Sequence, residues 1–229
     1  MQAPTANWIL SPSDFAFLWE ECKRCFYLKV VNNIRRPKSP MPRIFTTIDA
    51  AMKERYGGRR TNEDMPFLPA GVIDSSVSWV QSRPLPVPQH NSTVTLRGKL
   101  DTLVRFDDQT YGVIDFKTAG VRDRHVSLYS RQLHSYALAL ENAAPGELSL
   151  APVTKLWLVA FEPNSFSGGT DSDGCLAGPV EWKEVPRDDY AFLAFLEDVA
   201  DLLELPKPPA APSSCEWCQY RETSRRTGL

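Results

Sequence analysis

The sequence predicts an α/β fold in which a mixed central sheet is flanked by helices. Three observations support this fold class: two strand-like runs around a polar turn at 97–117, an apolar strand at 153–161, and amphipathic stretches on either side of them. The chain has 229 residues, which is enough for one large domain with a substantial core. We therefore expect a single domain over 1–229.

Composition narrows the class of protein. The chain is 42% hydrophobic and 24% charged, as in ordinary soluble globular proteins. No apolar run approaches the ~20 residues of a membrane span, and the N-terminus lacks the basic start and long apolar centre of a signal peptide. These observations predict a cytoplasmic protein that does not bind a membrane.

The N-terminal third is predicted to be mainly helical. After an irregular lead-in at 1–10, Ser11-Pro12-Ser13-Asp14 has the residues of a helix start, and the helix should run over about 11–31. A second helix is predicted over 44–56. The Gly- and Pro-rich stretch 57–92 is predicted to be irregular, apart from a short strand-like run at 77–81.

The central stretch is predicted to be a β-hairpin. One run ends at Phe106, a polar turn follows, and a second run extends from Tyr111 to Lys117. Asp115 and Lys117 are two positions apart, so on a strand their side chains share a face. Asp101 supplies a second carboxylate from the neighbouring strand.

The C-terminal half is predicted to add two strands and two helices. The strands lie at 153–161 and, at a sheet edge, 180–185; the helices lie at 128–142 and 187–205. On the first of these helices Gln132 and Tyr136 are one turn apart and share a face, whereas His134 is predicted to be exposed. A Pro/Ala linker leads to a cysteine-containing tail at about 206–229.

The carboxylates of Asp101 and Asp115 predict a site for a divalent cation. Two ionised carboxylates in a partly buried site repel each other, and a cation removes that cost. Carboxylate oxygens, a backbone carbonyl and water suit Mg²⁺. A surface hairpin with a simple salt bridge is the alternative interpretation of these residues alone.

Three motifs in order resemble the PD-(D/E)XK nucleases, in their RecB-like branch. The motifs are Gly98-Lys99-Leu100-Asp101, then Asp115-Phe116-Lys117-Thr118, then Gln132-Leu133-His134-Ser135-Tyr136. The resemblance implies a restriction-endonuclease-like fold and a DNA nuclease that uses Mg²⁺ or Mn²⁺. It implies that Asp101, Asp115 and the carbonyl of Phe116 bind the metal ion, that Lys117 is the catalytic lysine, and that Gln132 and Tyr136 are active-site residues.

The chain departs from that family at one position. The family usually has a metal-binding His on the second helix, and this helix contains none. Asp49 lies near the expected place and is either a substitute oxygen ligand or a surface acid. The missing His leaves open a competing function, in which a catalytically degenerate nuclease fold binds nucleic acid or a partner without cutting.

Four of the five cysteines form two C-x-x-C pairs near opposite ends of the chain. The pairs are Cys22 with Cys25 and Cys215 with Cys218. In the cytoplasm such pairs are metal ligands rather than disulfides, and four thiolates suit Zn²⁺ or a [4Fe–4S] cluster. The resembling nucleases hold a [4Fe–4S] cluster with one N-terminal and three C-terminal cysteines. Here the division is two and two, so a cluster, Zn²⁺ and unligated thiols all remain open.

Charge is concentrated in one part of the chain. The stretch 22–60 has eleven Lys or Arg against two acids, although the whole chain has a net charge of −2. A concentrated basic section suits the phosphates of single- or double-stranded DNA, and a solvated helix surface is the alternative. The resemblance also implies a possible helicase or integrase partner.

Overall fold

A computed structural model describes residues 6–38, 40–76, 79–169 and 173–228. Among the described residues, helices predominate before Gly71 and after Val185, and strands predominate between them. In order they are β1 (Asn7–Leu10), α1 (Pro12–Ala16), α2 (Leu18–Glu21), α3 (Lys23–Val30), α4 (Arg43–Tyr56), α5 (Thr61–Asp64), β2 (Gly71–Asp74), β3 (Trp79–Gln81), β4 (Leu85–Pro86), β5 (Thr93–Lys99), β6 (Thr102–Phe106), β7 (Tyr111–Lys117), α6 (Asp123–Glu141), β8 (Val153–Phe161), β9 (Ser165–Ser167), β10 (Cys175–Ala177), β11 (Val180–Val185), α7 (Asp189–Leu203) and α8 (Glu216–Thr227).

A five-stranded mixed sheet forms the centre of the fold, with strand order β11-β8-β7-β6-β2. Strands β7 and β8 are parallel, and the other neighbours are antiparallel. A smaller sheet has β5 between β1 and β3, and β4 also pairs with β5. This mixed α/β architecture confirms the predicted fold class.

The apolar residues of the central sheet alternate between its two faces, as the strand period requires. On β7, Val113 packs in the larger core, which includes helices α6 and α7, and Ile114 packs in a second core, which includes Met52 of α4. Asp115 and Lys117 share the face of Val113 and therefore point toward α6. Strand β7 thus presents its two charged residues, Asp115 and Lys117, to helix α6.

The N-terminal prediction differs from the structure in two ways. The single helix expected over 11–31 consists of three short helices, because Phe17 leaves helical geometry and Cys22 is extended, with φ −164° and ψ 103°. Cys22 caps α3 instead, its Sγ accepting a 3.4 Å hydrogen bond from the Cys25 amide. The lead-in expected to be irregular contains β1, which pairs in parallel with β5.

The stretch 57–92 is more regular than expected. It contains α5, β2, β3 and β4, and β2 forms the edge of the central sheet. The predicted run at 77–81 is described as strand from Trp79, and residues 77–78 lie outside the described residues. The predicted strands 153–161 and 180–185 are confirmed, the second at the opposite edge of the sheet.

Candidate active site

The chain passes from the small sheet to the central sheet at Leu100 and Asp101, between β5 and β6. This break divides the first run of the predicted hairpin into two strands. It places the Asp101 carboxylate beside β7, where Oδ2 accepts a 3.3 Å hydrogen bond from the amide of Phe116. The carboxylate of Asp101 is therefore held next to the residue that follows Asp115.

The predicted pair on β7 converges with Asp101. The Lys117 ammonium is in ion-pair contact with Oδ2 of Asp115, whose side chain is only 2% exposed. Burial, opposed by the charge of Lys117 and reinforced by the carboxylate of Asp101, raises the pKa of Asp115 from 3.8 to about 6. Two acids and one amine thus meet at the end of the sheet.

This arrangement fits a divalent cation. Oδ2 of Asp115 is buried, and its counter-charge is the Lys117 ammonium. The neighbouring carboxylate of Asp101 raises the cost of ionising Asp115, and a cation shared by the two acids removes that cost. The hard oxygen donors of Asp101 and Asp115 are those that Mg²⁺ and Mn²⁺ accept.

Helix α6 holds the two charged residues of β7, Asp115 and Lys117, through hydrogen bonds. The Gln132 amide nitrogen donates to Oδ1 of Asp115 at 3.1 Å, and its Oε1 accepts from Lys117 at 3.2 Å. The hydroxyl of Tyr136, one turn further along, donates to the Lys99 carbonyl at 2.6 Å. Burial, then the negative charge of Asp115, raises the pKa of Tyr136, so the phenol remains protonated.

The first motif has room only for a residue without a side chain at position 98, which is occupied by Gly98. A Cβ at Gly98 would lie 2.7 Å from Cδ of Pro12 and 3.3 Å from Cε1 of Tyr136. The strand that leads to Asp101 can therefore pack directly under α1 and α6. This close approach lets the Tyr136 hydroxyl reach the backbone of β5.

Asp49 is linked to the site through a lysine that sequence reasoning did not select. The Lys53 ammonium donates to Oδ2 of Asp49 at 2.9 Å and to Oδ1 of Asp101 at 2.8 Å. Burial lowers the pKa of Lys53, but the two carboxylates outweigh it and raise the pKa overall. Lys53 and Asp49 are an i,i+4 pair on α4, the one local signal that could have indicated Lys53.

Tyr129 is a second residue that the sequence did not single out. Its ring centroid lies 4.4 Å from the Lys117 ammonium, a cation–π contact, and 5.8 Å from the ring of Phe17.

His134, which was expected to be exposed, is only 3% exposed. That prediction is wrong because α7 covers this part of α6, and His134 Nε2 accepts a 2.8 Å hydrogen bond from the Asp188 amide.

The four paired cysteines form a separate, buried cluster. Their sulfur atoms all lie within 4.8 Å of one another, and no other such group of three or more Cys, His, Asp or Glu occurs among the described residues. The closest sulfur pairs are Cys25–Cys218 at 3.5 Å, Cys25–Cys215 at 3.7 Å and Cys22–Cys218 at 3.8 Å. The fifth cysteine, Cys175, is exposed.

These separations fit a metal site. A Zn–S bond of about 2.3 Å corresponds to sulfur atoms about 3.8 Å apart in a tetrahedron. A [4Fe–4S] cluster places four irons between its thiolates and so needs a wider separation. Burial raises the pKa of Cys215, but hydrogen bonds from neighbouring thiols and amides outweigh it and lower the pKa to about 7. Burial raises the pKa of Cys22 and Cys218 instead, so the lowered pKa is confined to one of these three thiols.

The fold brings two acids and one amine together at the end of the central strand β7 of a mixed α/β sheet. Sequence comparison gives the family. The profile of the PD-(D/E)XK nuclease superfamily matches residues 63–223. The chain belongs to this superfamily, whose members are generally nucleases that hydrolyse phosphodiester bonds with divalent metals.

Other comparisons are more distant. No curated protein matches the sequence at a significant level. The solved structure titled "Crystal structure of SSO0001" is similar over 88% of this chain and 79% of that chain, with 13% sequence identity and a TM-score of 0.47. Among the described residues, no helix is both long and apolar enough to cross a membrane.

Proposed function

We propose that this protein is a Mg²⁺- or Mn²⁺-dependent deoxyribonuclease of the RecB-like branch, acting as a single domain in DNA repair, recombination or defence. The observation that carries the proposal is the meeting of Asp101, Asp115 and Lys117. Two of these residues come from one strand, and the third comes from the break between two sheets. Membership of the superfamily and the concentrated basic section support DNA as the substrate.

The carboxylates of Asp101 and Asp115, with the carbonyl of Phe116, would hold the metal ion. Asp49 is proposed as a further oxygen ligand in place of the missing His. When bound, the ion supplies positive charge to the scissile phosphate and lowers the pKa of water. The burial of Asp115 beside the second carboxylate of Asp101 supports this assignment.

Lys117 is proposed to orient the attacking water and to stabilise negative charge on the phosphate. Its ammonium is held on three sides, by Asp115, by Oε1 of Gln132 and by the ring of Tyr129. A positioned cation of this kind typically contributes a factor of ~10²–10³ to the rate. Gln132 fixes the positions of the Lys117 and Asp115 side chains relative to each other, and Tyr136 anchors helix α6 to β5.

The cysteine cluster is proposed to be a structural metal site that joins the two ends of the chain. The spacing of the sulfurs favours Zn²⁺, and the family resemblance favours a [4Fe–4S] cluster. Anaerobic purification with metal analysis separates the two. A colourless protein containing about one zinc per chain supports Zn²⁺, and a brown protein containing iron supports the cluster.

The competing proposal is a nuclease-fold module that binds nucleic acid, or a helicase or integrase, without cutting. It is motivated by the missing His on α4. Digestion of single- and double-stranded DNA over a titration of Mg²⁺ and Mn²⁺ distinguishes the two functions. We expect the wild type to cut in a metal-dependent manner and Asp101→Asn to lose the activity.

A matched control separates catalysis from general loss of charge. Asp107 is exposed, lies just after β6 at the end of that strand away from Asp101, pairs with Arg60, and belongs to neither the metal site nor α6. Asp107→Asn should therefore cut like the wild type. Equal cleavage by Asp101→Asn, Lys117→Ala and the wild type would overturn the nuclease assignment, whereas binding without cleavage by the wild type would support the competing module.

A further inference from the structure

Three adjoining depressions cross the surface between the small sheet and the C-terminal helix. The first has a volume of about 630 Å³ and includes Trp79, Arg97 and Arg35. The second, of about 270 Å³, includes Arg35 again, with Tyr220 and Arg221. The third, of about 300 Å³, includes Arg221 again, with Arg225. Because Arg35 and Arg221 are each shared, the depressions are adjacent to one another.

We propose that these depressions form one binding path for single-stranded DNA, here called the arginine–aromatic track. It is defined by Arg97, Trp79, Arg35, Tyr220, Arg221 and Arg225. This inference rests on the proposed nuclease function, which supplies the polymer. It adds where the strand lies outside the catalytic residues and which form of DNA the enzyme prefers.

The charge along the track suits a phosphate backbone. Arg35 and Arg225 are exposed, Arg221 is half-buried, and Arg24 adds a further guanidinium to the third depression. Acidic residues on the same surface are already neutralised: Asp14 bonds Lys29 at 2.6 Å, and Glu222 bonds Arg226 at 3.0 Å.

The aromatic rings on the track favour a single strand. Trp79 is 58% exposed and Tyr220 is 69% exposed, although rings of this size usually bury most of their surface. The Arg97 guanidinium lies 5.8 Å from the ring centroid of Trp79. Exposed rings alternating with guanidinium groups suit bases that are free to stack, whereas the bases of a duplex are already stacked on each other.

The track is connected to the candidate active site through β5. Trp79 lies opposite Lys99 in the pairing of β3 with β5, and Gln81 lies opposite Arg97. The Lys99 carbonyl accepts the hydroxyl of Tyr136, and Asp101 follows two residues later. A strand bound along Arg97 and Trp79 would therefore lie beside the β-strand that leads to Asp101.

The cysteine cluster fixes the position of the other end of the track, which lies on α8. Cys215 and Cys218 hold the start of α8 against Cys22 and Cys25, and all four are buried. Arg221 and Arg225 are then one turn apart on that helix. The proposed structural metal would thus act in DNA binding, because it fixes the helix that carries half of the track.

The test is the binding of labelled oligothymidine to the metal-loaded full chain by fluorescence anisotropy, without added Mg²⁺ or Mn²⁺. Removing two phosphate contacts with Arg221→Ala/Arg225→Ala should weaken binding ~10-fold and reduce the slope of log K against log salt by about 1.4. Tyr220→Ala should weaken binding ~10-fold with little change in the slope, because stacking is not ionic.

Two controls are matched to these variants. Arg83 is exposed and bonds Asn142, and Tyr190 is 86% exposed on α7; neither lines the three depressions. Arg83→Ala and Tyr190→Ala should bind like the wild type. Metal content and thermal melting of every variant should match the wild type, which excludes unfolding of the tail as the cause.

The outcomes separate this inference from the proposed function. Wild-type binding by the Arg221→Ala/Arg225→Ala and Tyr220→Ala variants, in a protein that cuts DNA, would overturn the track alone. Loss of binding in those variants, in a protein that cuts no DNA with any metal, would support the track and overturn the nuclease. Tighter binding of a duplex or of oligouridine than of oligothymidine would overturn the assignment to single-stranded DNA.

Discussion

The Lys53 ammonium lies 2.8 Å from the Asp101 carboxylate, joining α4 to the start of β6. It also lies 2.9 Å from Asp49, so a single positive charge neutralises two of the proposed metal ligands. A divalent ion that uses Asp101 must compete with this ammonium. Lys53 is therefore expected to set the metal affinity of the site.

Replacing Lys53 with Met should tighten Mn²⁺ binding by about tenfold. The substitution keeps an unbranched side chain of similar length but leaves Asp101 and Asp49 without their counter-charge, and a nearby charge shifts such equilibria by about 1 kcal/mol or more. Calorimetric titration of Mn²⁺ measures the change. Lys155→Met, which removes an ion pair with Glu184 at the sheet, is the control and should leave the affinity unchanged.

Asp49→Asn should weaken Mn²⁺ binding. The change removes a proposed oxygen ligand, and it also leaves Lys53 to pair with Asp101 alone, so the ammonium competes more strongly with the ion. The same titration measures the effect. An affinity equal to that of the wild type would identify Asp49 as a surface acid whose only contact of consequence is Lys53.

Metal binding should also depend on pH through Asp115. Its pKa of about 6 means that the carboxyl must release a proton before it can bind a cation below that pH. Mn²⁺ affinity should therefore fall by up to tenfold per pH unit below pH 6 and level off above it. Titrations in two buffers of different ionisation enthalpy detect the released proton, and a constant affinity from pH 5 to pH 7 would contradict the assignment.

The same shift predicts how the stability of the metal-free protein changes with pH. The folded pKa of Asp115 lies above its ordinary value of 3.8, so between about pH 4 and pH 6 the folded state binds more protons than the unfolded state. The contribution of Asp115 to stability therefore falls as pH rises through this window, by at most about 3 kcal/mol. Asp115→Asn should remove this dependence, which urea unfolding at several pH values measures; a parallel pH profile in the variant would contradict the prediction.

Local patterns were sufficient to predict the residues that meet on β7 and α6. Asp115 and Lys117 share a face because strands have a period of two, and Gln132 and Tyr136 share a face because helices bring i and i+4 together. The structure places these side chains in contact. The hairpin pattern also indicated Asp101 as a neighbouring carboxylate, but its position depends on a break between two sheets that periodicity does not indicate.

Residues brought in by tertiary packing could not be predicted in this way. Lys53 reaches Asp101 across 48 positions of the chain, and β1 pairs with β5, which is 86 positions away at Asn7 and Thr93. The break at Cys22 depends on a thiol cap and on cysteines at the far end of the chain. Likewise, His134 is buried only because α7 packs over it.

Tyr136→Phe should reduce stability more than activity. The phenol hydroxyl donates to the Lys99 carbonyl, and the loss of one buried hydrogen bond that leaves an acceptor unpaired destabilises a fold by about 1–3 kcal/mol. Because the ring remains in place between α6 and β5, the cleavage rate should stay within about tenfold of the wild type. Urea unfolding and the single-turnover rate measure the two effects.

Gln132→Leu should reduce activity more than stability. The variant keeps the volume of the side chain on α6 but loses the hydrogen bonds that hold Asp115 and Lys117 together. A lysine displaced by about 1 Å from its productive position can lose ~10²-fold in rate. A larger loss of activity in Tyr136→Phe than in Gln132→Leu would contradict both assignments.

Loss of one ligand from the cysteine cluster should free the C-terminal tail. Cys218 is buried among the other three sulfurs, and the linker before α8 is otherwise tied to the body by few contacts, such as the 2.8 Å hydrogen bond from Arg24 to the Pro209 carbonyl. Cys218→Ser should therefore lower the metal content and expose 206–214 to protease. Its melting temperature should fall as well, because metal binding stabilises only the folded state.

Cys175→Ser is the matched control for this prediction, since Cys175 is exposed and lies outside the cluster. It should retain the metal, the protease resistance and the melting temperature of the wild type. If Cys218→Ser behaves in the same way, Cys218 is not a metal ligand and the tail is held by packing alone. If Cys218→Ser loses the metal but keeps an ordered tail, the tail docks independently of the ion.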